Sequence, residues 1–464
     1  MDNQTNKIKI EVEQWLTEFN NSISFNTTQK DAYDSLSSLF ISDSHWRDLL
    51  GLTWKIQTFS GKENIIENMY RCILDMKAKK FTIDKTRTQP REVIRADKKA
   101  IEVIFSFETI HGNCEGIVRL IKENNSSQKL KAWNFLTALN ELHTKENQNS
   151  NLYVKDLKGP NWQDLRNEDI SYKSRDPEVI VIGCGQAGLS IAARLRQHNV
   201  DTLVVDKHER VGDNWRKRYH SLKLHNQVHV NHLPYMPFPS TWPKYLPKDK
   251  LAGWFEYYAE SMELNVWTNT LFLDANYCDN EEKWDARLKL SDGSIRTMKP
   301  KHIIMAIGVS SVPNRVEIPG IEKFKDKIIH SVDYKDGTKY NGKNVIVFGT
   351  GTSAHDVAQD LCIHGANVSI VQRSPSMVVN VEPSAQLPYL LYSEGPNTED
   401  CDLITITSPL AVMKKTHQIL TKKTRDIDKK LLNNLEKVGF KLEYGEDESG
   451  WQFKYLNRGG RVLL

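Results

Sequence analysis

The spacing of apolar positions changes period twice along the chain. From Ile10 to Phe19, Thr28 to Leu39 and Lys62 to Met76 apolar residues recur at helical spacing, which predicts three amphipathic helices. Beyond them the period falls to two. Phe81 to Arg87, Arg91 to Arg95, Ala100 to Glu108, Glu115 to Ile121 and Leu130 to Glu141 read as consecutive strands of a curved antiparallel sheet. Helices followed by a run of strands predict an α+β unit over residues 1–145. Residues 146–177 are polar, hold one Gly-Pro and keep no period, so they read as a linker that wraps over the next domain.

From residue 178 the pattern alternates. A short apolar run, Val179 to Ile182, enters Gly183, Cys184, Gly185, Gln186, Ala187 and Gly188; a helix-like segment and a second apolar run ending in Asp206 follow. Further strands are expected near Leu264 to Trp267 and Trp284 to Leu290, with a hairpin turn at Ser291-Asp292-Gly293. Lys301 to Gly308 reads as a buried strand closing on a glycine. The opening pattern then recurs. Asn344 to Phe348 runs into Gly349, Thr350, Gly351, Thr352, Ser353 and Ala354, then a helix to His364 and a strand from Val368 to Val371. The expected fold is α/β, with two Rossmann-like dinucleotide-binding units, over 178–310 and 311–464, behind the N-terminal α+β domain.

The glycine spacing has a chemical reason. Gly183 turns the chain sharply out of the strand, Gly185 leaves room for a pyrophosphate at the helix N-terminus, and Gly188 lets helix and sheet pack closely. First-turn amides and the helix dipole favour the bound anion. Asp206, roughly 20 residues on, is placed to accept from a ribose 2′-hydroxyl and disfavours a 2′-phosphate, so the first site suits FAD or NAD. In the second unit Ala354 replaces the third glycine, and Arg373 stands where the acid would be. A guanidinium there holds the 2′-phosphate of NADP in a fork of donors. One unit ending in an acid and one in an arginine imply FAD first and NADPH second.

Composition narrows the class further. The 63 basic and 59 acidic residues leave a net charge of +4, too little to argue for nucleic acid or an anionic membrane surface. The sequence has no run of about 18 apolar residues, and its start resembles neither a signal nor a transit peptide, so a soluble cytoplasmic protein is expected. Six scattered cysteines form no CxxC and no metal-ligand spacing, which weakens a flavin disulfide reductase and predicts no metal site.

By element order and the SHWRDLL stretch from Ser44, the N-terminal unit resembles the NTF2-like (SnoaL-like) family. That resemblance implies small-molecule binding, catalysis or dimerisation. His45, Arg47 and Asp48 would then line a pocket or serve as helix-end and packing residues of a scaffold, the latter being the expectation.

Residues 178 to about 380 resemble the flavin-containing monooxygenases, in the branch that includes the plant indole-3-pyruvate monooxygenases. The motifs are GCGQAGLS from Gly183, GDNW from Gly212, RYHSLKLH from Arg218, LPYMPFP from Leu233, AIG from Ala306 with PNxxxxPG from Pro313, FKDKIIHSVDY from Phe324, GTGTSAHD from Gly349 and QRSP from Gln372. Asp326 departs from the glycine of the FxGxxxHxxx motif, with Phe324 and His330 in register.

The resemblance implies an N,N-dimethylaniline monooxygenase-like enzyme in which NADPH reduces FAD, and oxygen adds to the flavin as a C4a-(hydro)peroxide. One oxygen atom from O2 then passes to a nitrogen, sulfur or carbonyl centre of a small organic substrate. It implies FAD contacts from Gly183, Gly185, Gln186, Ala187, Gly188, Asp206, Lys207, Asn214, Trp215, Leu224, His225, Ala306 and Gly308. Gly349, Gly351, Thr352, Ser353, Ala354 and Arg373 would contact NADPH, and His330 would link the domains beside the cofactors. His225 is the catalytic candidate, either a hydrogen-bond donor near the flavin or a packing residue.

Relatives of this pattern continue past paired glycines into another strand and helix, whereas this sequence stops at Arg461-Val462-Leu463-Leu464. A truncation is therefore expected, and with it an alternative: an inactive nucleotide-binding or regulatory protein. A homodimer through the N-terminal domain is a further expectation.

Overall fold

The computed structural model describes residues 3–24, 28–122, 129–143, 159–308 and 311–457. Two helices open the chain, α1 (Asn3–Ser22) and α2 (Gln29–Leu39). The second starts where Thr28 caps it, its hydroxyl accepting the amide of Asp31 at 3.2 Å. There follow β1 (Phe40–Leu49), β2 (Ile56–Ser60), α3 (Lys62–Met76), β3 (Lys79–Ile83), β4 (Arg91–Arg95), β5 (Lys98–Glu108), β6 (Gly112–Lys122) and β7 (Leu130–Leu142). These seven strands form one sheet in the order β2-β1-β7-β6-β5-β3, with β4 also paired to β5. The five strands expected from Phe81 to Glu141 pair antiparallel with one another, and the sheet gains two strands that were not expected, β1 and β2, with β1 parallel to β7. Most of β1 is buried on both faces, so it shows no alternation of polar and apolar residues for a periodicity to detect.

The next stretch builds an α/β fold. Its elements are α4 (Trp162–Ser171), β8 (Val179–Ile182), α5 (Gln186–Gln197), β9 (Thr202–Val205), α6 (Asp213–Arg216), α7 (Lys248–Ser261), β10 (Asn265–Trp267), β11 (Leu271–Cys278), β12 (Lys283–Lys289), β13 (Ile295–Met298) and β14 (His302–Met305). A parallel sheet runs β10-β9-β8-β14, and β11-β12-β13 form an antiparallel meander. The run Val179-Ile180-Val181-Ile182 is buried throughout because both faces are covered. Val179 and Val181 pack with Leu189, Leu251, Phe255 and Tyr258, whereas Ile180 and Ile182 pack with Ala286, Leu288 and Met298 of the meander.

Helix α4 falls in the stretch read as linker; half of its residues are exposed, and buried Arg166 holds it to the fold. Arg166 donates to Asn265 Oδ1 at 2.6 Å and to the Leu264 carbonyl at 3.1 Å, and buried Tyr172 donates to Asp201 at 2.7 Å. Residues 146–158 of that stretch lie outside the described residues.

The second glycine unit is β15 (Asn344–Phe348), α8 (Thr352–Ile363) and β16 (Asn367–Val371), with its two strands parallel. After it come α9 (Thr398–Ile406), α10 (Leu410–Ile427), α11 (Lys429–Lys437) and α12 (Gly450–Asn457). The described residues cluster into two compact units, one of residues 3–143, 377–434 and 443–457, the other of 159–376 with 435–442. This grouping departs from the sequence expectation, which kept all of 311–464 with the second nucleotide unit. In the first unit α1–α3 cover one face of the seven-stranded sheet, with Trp15, Phe19, Phe81, Phe105, Phe107 and Phe135 filling the core. Leu403 and Ile404 of α9 cover the other face over Ile104, Ile117 and Leu136, and Val412 of α10 joins Ile41 and Trp133.

A buried charge network ties this cover down. Glu102 meets Arg91, Arg95 and Arg119 at 2.9–3.1 Å. Arg119 also donates to the Ile404 carbonyl at 3.0 Å and to Ser408 Oγ at 2.6 Å. Asp400 is bonded by Arg87 and Thr88, and Glu394 by Arg91 and Arg95. Burial opposes ionisation of Glu102, but the guanidinium groups of Arg119 and Arg95 outweigh it and hold the carboxyl down at about 2.

The SHWRDLL stretch is part of this scaffold. Asp48 accepts from the amides of Leu52 and Thr53 and from Thr137 Oγ1, Trp46 Nε1 donates to Thr137 Oγ1, and His45 Nδ1 lies 2.8 Å from Ser60 Oγ. His45, Arg47 and Asp48 lie in β1, so their expected place at a helix end is corrected to a strand, where Arg47 donates to the Ser408 carbonyl at 3.3 Å. The C-terminal departure at Arg461 to Leu464 lies outside the described residues.

Candidate cofactor site

The first glycine turn is shaped by close backbone approaches. Gly183 has φ +104°, and a Cβ there would stand 2.5 Å from the Ala306 carbonyl oxygen. At Gly188 a Cβ would stand 1.8 Å from the Gly183 carbonyl oxygen, so strand and helix meet only because the residue is glycine. Gly185 differs from both. It caps α5 with no side-chain hydrogen bond, and a Cβ there would meet only the Asn214 amide nitrogen at 3.3 Å. Gln186 and Ala187, next in line, are exposed. The turn therefore presents open first-turn amides with a side-chain amide beside them.

The GDNW motif supports that wall. Gly212, at φ +87°, lets the chain press against the Ala252 carbonyl, where a Cβ would come within 2.4 Å. Asp213 is buried and ion-paired with Arg216 at 2.5 Å and Lys217 at 3.0 Å. Trp215 has its indole Nε1 buried with no hydrogen-bond partner among the described residues. A buried donor without an acceptor costs free energy, about 1–3 kcal/mol, unless a ligand satisfies it. The open Gly185 cradle and this donor fit a bound dinucleotide.

Asp206 follows β9, and its carboxylate reaches back to the turn. It accepts from the amide of Cys184 at 2.9 Å and of His208 at 2.8 Å, and lies 2.7 Å from His208 Nδ1. Burial would raise this carboxyl, but the hydrogen bonds from His208 and Cys184 prevail and hold it far below the usual carboxylate range. Lys207 beside it is exposed. Leu224 packs against the core under α5 and α7 and donates its amide to Leu246 at 2.8 Å. Ala306 forms the floor of the first turn, and Gly308 has φ +75° with open space about it.

The second turn repeats the design with fewer close contacts. Gly349 has φ +108°, and a Cβ there would find nothing within 4 Å; Gly351 caps α8 without a side-chain bond. Thr352, Ser353 and Ala354 form the first turn of α8, and Ser353 Oγ accepts from Arg218 Nη2 at 3.3 Å. Arg373 is exposed just past β16, where the neighbouring Gln372 exchanges two hydrogen bonds with the backbone of Lys441. His330 is half-buried, its Nδ1 accepting from the Val332 amide at 3.1 Å.

Two aspartates on α8 were not singled out from the sequence. Asp356 accepts from the Tyr219 phenol at 2.6 Å and lies 3.4 Å from His225 Nε2; Asp360, one turn on, accepts from the Tyr334 phenol at 2.5 Å. Their i,i+4 spacing was the available signal, since it puts both carboxylates on one helix face. The hydrogen bond to Asp356 raises the His225 imidazole above its ordinary pKa despite burial. Structure thus gathers Gly183, Gly185, Gly188, Asp206, Asn214 and Ala306 at one turn, and links His225 to the helix of the other.

All six cysteines are free, and burial pushes the Cys184 thiol well up. Among the described residues no His, Cys, Asp and Glu cluster could hold a metal ion, and no helix is long and apolar enough to cross a membrane.

Residues 180–394 match the family model described as pyridine nucleotide-disulphide oxidoreductase. The chain is 30% identical over 206 residues to the probable indole-3-pyruvate monooxygenase YUCCA10 of Arabidopsis thaliana, covering 44% of this chain and 54% of that protein. It is 33% identical over 199 residues to the probable indole-3-pyruvate monooxygenase YUCCA8 of the same plant, covering 42% and 47%. Among solved structures, a flavin-containing monooxygenase from Stenotrophomonas maltophilia aligns at 21% identity with a TM-score of 0.41, covering 49% of this chain and 67% of that one. The chain spans about half the length of the curated relatives it matches. Residues 180–394 are mixed α/β and similar in sequence to indole-3-pyruvate monooxygenases.

Proposed function

We propose that the protein is an FAD- and NADPH-dependent monooxygenase that places one oxygen atom from O2 on a small organic substrate. The observation that carries this reading is the first glycine turn, where Gly185 is open and Asn214 stands beside it, next in sequence to Trp215, whose buried indole N–H has no partner among the described residues. Similarity to indole-3-pyruvate monooxygenases supports it.

In this reading Gly183, Gly185 and the first-turn amides of α5 hold the FAD pyrophosphate, Asp206 accepts from its ribose, and Asn214 and Trp215 close the wall. Gly349, Gly351 and the first turn of α8 hold the NADPH pyrophosphate, with Arg373 as the cation for its 2′-phosphate. Bound FAD supplies hydride acceptance from NADPH and reaction with dioxygen. The chain's own residues orient the two cofactors, keep water out and present His225 as a donor near the reacting ring. Residues 178–310 would form the FAD domain and the strands and helix from 344 to 371 the heart of the NADPH domain, with the N-terminal unit an NTF2-like scaffold.

The test is expression of this chain, its visible spectrum, and consumption of NADPH against NADH with added FAD under oxygen. Near-stoichiometric flavin and faster oxidation of NADPH are expected. Colourless protein that neither takes up FAD nor oxidises NADPH would overturn the proposal in favour of a silent nucleotide-binding protein.

A further inference from the structure

His225 is the one candidate for chemistry among the predicted residues, and its surroundings show how it is held. Its Nε2 lies 3.4 Å from Asp356 Oδ1, and the other carboxylate oxygen of Asp356 accepts from the Tyr219 phenol at 2.6 Å. Tyr219 is fully buried among Tyr334, Val357, Leu361 and Leu222, so its hydroxyl is fixed from behind. Asp356 belongs to α8, whose first turn, Thr352 to Ala354, forms the mouth of the second glycine turn. Arg218, on the same segment as Tyr219 and His225, reaches Ser353 Oγ in that first turn. One short segment, residues 218–225, is therefore joined to α8 at two levels, by Arg218 to Ser353 and by Tyr219 and His225 to Asp356.

We propose that Asp356 is the positioning residue for His225, with Tyr219 fixing the carboxylate, so that the imidazole is aimed from the helix that carries the second nucleotide turn. The proposal deepens the monooxygenase reading and rests on it for its functional meaning, although the geometry stands without cofactor. The carboxylate serves two donors of different kinds. The phenol is neutral and stays protonated, because burial and the neighbouring Asp356 both raise its pKa. The imidazole titrates, and its charged form is the one that the carboxylate favours. The charged group against it is Asp356 from α8, whose other oxygen takes the Tyr219 phenol, and Arg218 of the same segment is engaged at Ser353. Such an arrangement orients the ring and keeps a proton on it to higher pH, as a second carboxylate partner does for other functional imidazoles.

Two substitutions act in opposite directions on this arrangement. Asp356→Asn removes the charge and lowers the pH at which His225 loses its proton, by about 1 unit or more for a charge at this distance. Tyr219→Phe removes a competing donor from the carboxylate and moves that titration up. Asp356→Glu keeps the charge and restores most of the wild-type value. The experiment is an NMR titration of the His225 ring in the cofactor-free chain, with the resonance assigned by its loss in His225→Gln. Opposite shifts in the two variants support the proposal, and an unmoved titration in Asp356→Asn, or shifts of the same sign in both, overturns it. A second arm follows NADPH oxidation against pH with FAD added. There Asp356→Asn should displace the His225 limb with little change in FAD affinity, and Asp356→Glu should return it. Absence of any NADPH oxidation in the wild type would sink the monooxygenase reading and leave the titration result standing on its own.

Discussion

Tyr334 donates its phenol to Asp360 at 2.5 Å, one helical turn beyond the aspartate that receives Tyr219. The FKDKIIHSVDY motif thus ends in an anchor on α8. Asp360 and Tyr334 are both buried, and the phenol stays protonated because burial, above all, and the carboxylate raise its pKa. Removing that hydroxyl with Tyr334→Phe leaves a buried carboxylate short of a donor. A loss of roughly 1–3 kcal/mol is expected in urea unfolding, with the slope unchanged.

The three glycines of the first turn should separate folding from binding. Gly188→Ala sets a methyl 1.8 Å from a backbone oxygen, and the expected result is insoluble or unfolded protein. Gly185→Ala meets only the end of the Asn214 side chain at 3.3 Å, so circular dichroism should be preserved while bound flavin falls about tenfold or more, a loss of at least ~1.4 kcal/mol. Flavin absorbance per mole of folded protein distinguishes the two outcomes.

Arg373 is exposed at the end of β16, and its replacement should alter nucleotide choice without altering stability. Arg373→Gln is expected to raise KM for NADPH by roughly 10–100-fold, equivalent to one or two charge-assisted hydrogen bonds, and to leave KM for NADH nearly unchanged. Equal effects on both nucleotides would remove Arg373 from the phosphate site.

The Glu102 network predicts an acid limb of stability. Folding lowers this carboxyl from 4.5 to about 2, so the folded state binds its proton less readily than the unfolded state. Its contribution is complete above 4.5 and is lost as pH falls toward 2. Glu102→Gln leaves buried Arg119 without its counter-charge, with a cost on the order of 3–5 kcal/mol at neutral pH. The variant should also lose part of the wild type's acid sensitivity, which thermal unfolding between pH 5 and 2.5 would measure.

Which parts were legible follows from what a linear pattern can carry. The helix Lys62 to Met76, the strand Arg91 to Arg95 and both glycine turns were readable because amphipathic period and backbone-forced glycines are local properties. Strand β1 was not, since a strand buried on both faces loses its alternation. Helix α4 was hidden by its polar composition, because its hold on the fold comes from Arg166 bonding to Asn265 and Leu264 about a hundred residues away. The Tyr219, His225 and Asp356 cluster was half-visible. His225 was chosen by motif resemblance, but its partner lies on another element, and no pattern along one segment reports a pairing across 131 positions. The assignment of residues 377–434 to the N-terminal unit was illegible for the same reason, being decided by contacts such as Arg119 to Ile404.

That assignment bears on how the chain is made. The seven-stranded sheet is complete by Leu142, yet the residues that shield its second face, Leu403, Ile404 and Val412, leave the ribosome only after some 260 more have been added, a wait of roughly 13–50 s at ordinary elongation rates of ~5–20 residues per second. Through that interval Ile104, Ile117, Leu136 and Trp133 offer a sticky surface to any passing chain, so production of this protein should depend on chaperone supply and slow, cool growth more than its final stability would suggest.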